Sequence, residues 1–200
     1  MRFPHLWAPV LLLALTLGTA AGCGGDPEPL PVPAGGTAKK SEPARHRVPK
    51  WHKDYSGAQV VAYREARGRW KAYTRRSERI WSSGRATPAA QELFADFFYQ
   101  PAVMYQLLES YEKRKVTLRG MPLVLDSRPA QVSLDADPVT VVIRQCIDPR
   151  PVQLAADGVP LSDPDQKPTV RTITLSKVDG GPFQVLEYKG PETGDKTPCR

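Results

Sequence analysis

The chain has 200 residues, 40% of them hydrophobic, and its 28 Lys and Arg against 21 Asp and Glu give a net charge of +7. That composition provides for one modest globular core and requires no second one. The only histidines are His5, His46 and His52. Everything after them therefore lacks the imidazole on which a Ser-His-Asp triad, a Cys-His pair or a His-rich metal site is built. No Gly-rich phosphate loop of the Walker or Rossmann type is present either, and neither a metal nor a cofactor is expected.

Arg2 precedes an apolar run from Val10 to Leu17, and the small residues Gly18, Ala20, Ala21 and Gly22 lead up to Cys23. This is the order of a signal peptide: a positive start, a short apolar stretch and a small-residue cleavage site. The run is shorter than the roughly 20 apolar residues a permanent bilayer span needs, so residues 1–22 are expected to be removed. Ala20-Ala21-Gly22-Cys23 resembles a lipobox, with Ala20 where Leu is usual. The expectation is a lipoprotein held by lipid on Cys23 at the extracytoplasmic face of a cell membrane, with enough acyl chains for stable anchoring. An ordinary secreted protein with a stray cysteine near the cut is the alternative. Residues 23–50 are rich in Pro, Gly, Ala and Lys with almost no large apolar side chains, the composition of a disordered tether. At about 5–6 Å times the square root of residue number, such a tether keeps the following domain within a few tens of ångströms of its anchor.

One domain is expected over residues 51–200. Tyr63, Ala66, Trp70, Tyr73, Ser77 and Trp81 recur at three- and four-residue spacing and predict one face of a long helix. Ser56 and Gln59 form a capping-box pattern at its start, and Ser82-Ser83-Gly84 is a stop. Thr87-Pro88 opens a second helix through Leu93, Phe94, Phe97 and Phe98. Pro101 interrupts it. A third helix is expected to turn Val103, Leu107, Leu108 and Tyr111 toward the core and to end near Lys115.

After Gly120 the period shifts toward two. Val132 and Leu134, then Val139, Val141, Ile143 and Ile147, alternate with polar residues, and Thr169–Val178 and Phe183–Tyr188 supply two further strands. Asp157-Gly158 and the segment Asp179-Gly180-Gly181-Pro182 are turn signals. Helices first and antiparallel strands afterwards predict an α+β domain: about three helices on one curved antiparallel sheet of four or more strands. The segments VTVVIRQCID, VQLAADGVPLSD and VRTITLSKVDGGPFQVLEYKG, with a final cysteine, resemble the sheet half of secreted actinobacterial lipoproteins of the NTF2-like (SnoaL-like) superfamily. The matching features are Cys146 with Asp148 two residues on, the turn Ala156–Gly158, Gly180-Gly181 and Cys199. Phe183 stands where that family usually has Trp. The resemblance implies a cone in which three helices fill the hollow of a bent sheet, and it pairs the two cysteines; it implies a fold, not a reaction.

Cysteine arithmetic points the same way. With Cys23 assigned to lipid, Cys146 and Cys199 are an even pair in an oxidising compartment, read as a disulfide, with two buried thiols as the alternative. Carboxylates are the remaining material for acid or base chemistry. Some NTF2-like enzymes use a pocket Asp with a Tyr donor, and the candidates here are Asp96, Asp126 and Asp148 with Tyr63, Tyr73 or Tyr105. Each Asp also reads as a surface, capping or turn residue. Tyr63, Trp70 and Tyr73, with Asp126, are possible pocket residues, core packing being the other reading of the aromatic stripe.

Charge is unevenly placed. From Lys39 to Arg85 fourteen basic residues face four acidic ones, whereas from Ala86 onward thirteen face fifteen. Arg64, Arg67, Lys71 and Arg75 are expected to form a basic, membrane-facing surface, attracted to anionic lipid by up to about 1 kcal/mol per residue; a merely solvated face is the alternative. Nucleic acid is not an expected partner, because no recognition motif accompanies the charge. The leading functional expectation is a non-catalytic, membrane-anchored domain that binds an envelope protein or a small hydrophobic ligand. The alternative is a pocket enzyme of isomerase or cyclase type using a buried carboxylate.

Overall fold

The computed structural model describes residues 49–163, 165–190 and 199. The expected signal peptide, Cys23 and tether residues 24–48 lie outside them. The described residues all belong to the compact unit His46–Arg200. Among the described residues no helix is long and apolar enough to cross a membrane.

A short 3-10 turn, Lys50–Asp54, precedes α1, Gly57–Ser83. The capping box closes as the sequence predicts: Gln59 N donates to Ser56 Oγ at 3.3 Å and Ser56 N to Gln59 Oε1 at 2.9 Å. At the other end Gly84 adopts the left-handed conformation, φ +62°, and its N–H reaches Ile80 O. The predicted stripe is the buried face, with Tyr63, Ala66, Trp70, Tyr73 and Ser77 inside and Trp81 half-buried. Helix α2, Pro88–Phe97, is capped by Thr87 and buries Ala90, Leu93, Phe94 and Phe97.

Helix α3, Pro101–Lys113, is rotated from the expected orientation. Val103 and Leu107 are 56% and 40% exposed, while Leu108 is buried and Met104 and Tyr105 pack against the core. Apolar residues at 103, 104, 105, 107, 108 and 111 cover more than half the helix circumference, so the period alone admits two neighbouring stripes. Contact with the rest of the core selects the stripe centred on Leu108.

Among the described residues seven strands follow: β1 Val116–Arg119, β2 Leu123–Ser133, β3 Val139–Asp148, β4 Gln153–Ala156, β5 Val159–Pro160, β6 Thr169–Lys177 and β7 Gln184–Lys189. They form two antiparallel sheets rather than one, ordered β2-β3-β6-β7 and β1-β4-β5. The fold is thus α+β, three helices packed on a four-stranded and a three-stranded sheet. Strands of two to four residues, as in the smaller sheet, are too short to display a period, which is why the sequence shows only the Asp157-Gly158 turn between β4 and β5. Both turn residues have positive φ, +49° and +81°, the requirement of a tight hairpin turn.

Successive cross-strand rows line the helix-facing side of the larger sheet. Val132, Val141, Leu175 and Val185 make one row, and Pro129, Ile143, Ile173 and Tyr188 the next. Against the first row and Ile143 and Ile173 pack Tyr63, Trp70, Tyr73, Phe94, Phe97 and Leu108. Register shifts in β2, and between β6 and β7, add bulges that bend these strands. Cys146 alternates to the opposite side of β3 and is disulfide-bonded to Cys199, with Cα atoms 5.3 Å apart.

Candidate functional site

The third row changes chemistry. Ser127, Gln145 and Arg171 are direct cross-strand partners on β2, β3 and β6, and all project from the helix-facing side. Their side chains join in one line: Tyr63 Oη meets Ser127 Oγ at 3.1 Å, Gln145 Nε2 donates to Ser127 Oγ at 3.3 Å, and Arg171 Nε donates to Gln145 Oε1 at 2.9 Å. The guanidinium carbon of Arg171 stands 5.4 Å from the Trp70 ring centre, and Tyr188 stacks on the same indole at 5.8 Å. Arg171 is only 5% exposed and Gln145 only 3%. Burial lowers the Arg171 pKa, an effect the neighbouring Tyr188 phenol opposes. Burial likewise raises the Tyr63 pKa, partly offset by its Ser127 bond and by the charge of Arg67.

Two of the three expected aromatic pocket residues therefore border this row. Tyr73 does not: its hydroxyl accepts from Trp81 Nε1 at 3.2 Å, its ring packs against Phe97 and Phe98, and burial pushes its pKa up to about 12. It is core. Asp126 is exposed on β2 beside Ser127, near enough to oppose ionisation of Tyr63. A shallow cleft at the start of α1, bordered by Ser56, Gln59 and Leu134, contains none of the expected pocket residues.

The other candidate carboxylates are engaged by arginines. Asp96 receives Arg69 at 2.6 Å and Arg76 at 2.8 Å, which hold its pKa below the ordinary value. Asp148 is gripped by Arg150 through Nε at 2.9 and 3.0 Å, with the same direction of shift. A general acid needs the opposite shift. Tyr105 is half-buried against the core. Among the described residues no group of three His, Cys, Asp or Glu is placed to hold a metal.

Arg64, Arg67, Lys71 and Arg75 are all exposed. At about 100° per residue they fall within about 80° of one another, on a side of α1 that adjoins Tyr63 and Trp70 and faces away from Tyr73. Among the described residues none of the four is ion-paired to a carboxylate.

The sequence reading missed three features. Gln145 and Arg171 sit at the inward phase of strands whose other inward residues are apolar, and a polar residue in that phase was the available signal. Arg69, one of many bases on α1, turns inward to tie α1 to α2 through Asp96. Trp51 of the 3-10 turn lies edge-on to Tyr63 at 4.9 Å, a contact no local pattern announces. The chain matches no protein-family model and no curated protein sequence, so the functional reading rests on this geometry and on the residues themselves.

Proposed function

We propose that the chain is a lipoprotein anchored through Cys23 at the extracytoplasmic face of a membrane, and that its NTF2-like domain binds a small ligand or an envelope protein without catalysis. The observation that carries the binding half is the polar row Ser127-Gln145-Arg171. Buried polar groups are costly unless they are paired or have a task, and this row borders the same aromatic face that packs the core. The carboxylates that a proton-transferring pocket would need are exposed or held ionised by arginine, which favours binding over isomerase or cyclase chemistry.

The anchoring half rests on the run Val10–Leu17 and the small residues before Cys23. Cys23→Ser is expected to release the protein from the membrane fraction, and persistence of the variant in the pellet at high salt would refute lipid attachment. Affinity capture of the lipidated protein from its own membrane tests the partner. The four exposed bases of α1 give an orientation: that face rests on anionic headgroups and turns the sheets outward. A soluble form lacking residues 1–23 is then expected to bind anionic but not neutral vesicles at low salt and to dissociate at physiological salt. Equal, negligible binding to both would leave the face as solvated surface.

A further inference from the structure

Arg171 is a buried cation for which the described residues provide no counter-charge. It takes part in none of their ion pairs, and the side chains that hydrogen-bond it, Gln145 and the Tyr188 phenol, are neutral. A desolvated charge left in this state is expensive, and proteins otherwise pair it. Two buried donors near it are unsatisfied. Trp70 Nε1, on the indole that Arg171 overlies, and Thr169 Oγ1, two residues away in the same phase of β6, are buried without a hydrogen-bond partner. Buried polar atoms of native proteins are nearly always paired, so two such atoms near a buried cation without a counter-charge require an explanation beyond folding.

We propose that this wall is a receptor for a small monocarboxylate carrying an apolar body. The reasoning rests on the ligand-binding reading above and narrows it to a chemical class. A planar guanidinium fork matches the two oxygens of a carboxylate, and the indole N–H and the threonine hydroxyl supply neutral donors alongside. One buried positive charge balances one negative charge; a phosphate dianion would carry a second charge into the same dry site with no partner. Trp70 is itself buried with Tyr188 stacked on it, so its ring meets the apolar body once Tyr188 has moved aside. Tyr188 is the movable element: it is 46% exposed, belongs to the edge strand β7, and stacks on Trp70. A rotation of its side chain opens the way to the guanidinium.

Benzoate and its neutral near-isostere benzamide distinguish charge recognition from simple hydrophobic uptake. Titrated into the purified protein by calorimetry, benzoate is expected to bind saturably and at least about tenfold more tightly than benzamide, the margin of a charge-assisted pair over a neutral one. Arg171→Met is expected to abolish that preference while leaving the thermal midpoint unchanged or raised, because it deletes an uncompensated buried charge. If that variant does not fold, Arg171→Lys keeps the charge without the fork and is expected to fold and to bind benzoate about tenfold more weakly. Equal affinity for benzoate and benzamide would remove the anion site and leave only apolar uptake against Trp70. No benzoate binding by the folded wild type, or undiminished binding by either variant, would overturn the proposal outright; the broader binding reading would then stand or fall on the membrane capture.

Discussion

Replacing Arg69 by alanine separates a charged side chain that holds the fold together from those that merely cover α1. The guanidinium donates from Nε to Phe183 O at 3.2 Å and from Nη2 to both Asp96 O and Asp96 Oδ1, and it stacks on the Phe97 ring at 3.9 Å. Asp96 O belongs to the last turn of α2, where carbonyls lack helical partners and a cation is favoured. Arg69 thus joins α1, the end of α2 and the approach to β7. Losing a charged donor to carbonyls costs about 1.5 kcal/mol or more, and the ring contact adds about 0.5–1 kcal/mol. The ion pair adds under about 1 kcal/mol, because the Asp96 side chain is 40% exposed. Urea unfolding followed by circular dichroism should therefore show a loss of about 2–4 kcal/mol. Arg76 is the control, since it shares Asp96 and lies over the same ring at 5.0 Å but is 53% exposed; Arg76→Ala should cost under about 1 kcal/mol. Equal losses in the two variants, or an Arg69→Ala loss below about 0.5 kcal/mol, would refute the assignment of Arg69 as a structural tie.

Other perturbations have definite signs. Gly84→Ala places a Cβ 2.5 Å from Val116 O at φ +62°, and backbone strain and displacement together should cost about 2–3 kcal/mol. Gly68→Ala, in the middle of α1 with nothing within 4 Å, should stabilise by up to about 1 kcal/mol in the same denaturation assay; reversal of these signs would contradict the packing described. Because the Asp96 pKa is lowered on folding, its contribution is present above the unfolded value of about 3.9 and is lost as pH falls through the folded value. Asp96→Asn should therefore flatten the acid limb of the stability profile, and an unchanged limb would count against it. Mass spectrometry of the unreduced protein should recover Cys146 and Cys199 in one linked peptide pair, two alkylatable thiols being the refuting result. Their separation of 53 residues corresponds to about 4 kcal/mol on the chain-entropy account, lost in Cys146→Ser.

What was legible in the sequence follows from the length over which each pattern repeats. Helix α1 repeats its stripe over many turns and carries local stop and start chemistry in Ser56, Gln59 and Gly84, so both its limits and its buried face could be read. Strands β3 and β6 are long enough to alternate. Helix α3 has local boundary residues but apolar side chains around too much of its circumference, and only tertiary packing chooses among them. The smaller sheet consists of strands of two to four residues whose pairing joins Val116 to Ala156 across forty positions, information that no window contains. The candidate site was half legible for the same reason. Tyr63 and Trp70 belong to the helical stripe, whereas Gln145 and Arg171 acquire meaning only when register sets them side by side.

Helix α1 combines these features, because a single 27-residue element carries three separate sets of side chains around its axis. One side presents Tyr63 and Trp70 to the polar row of the sheet. A second sends Arg69 across to Asp96 and Phe183. The third, about 90° around the axis from the first, presents Arg64, Arg67, Lys71 and Arg75 to solvent. Arg67 of the third set is near enough for its charge to lower the pKa of Tyr63 in the first, and partly buried groups are screened by salt much less than exposed ones. The basic and aromatic sets are therefore electrostatically coupled rather than independent, and Arg67→Ala should raise the Tyr63 pKa further.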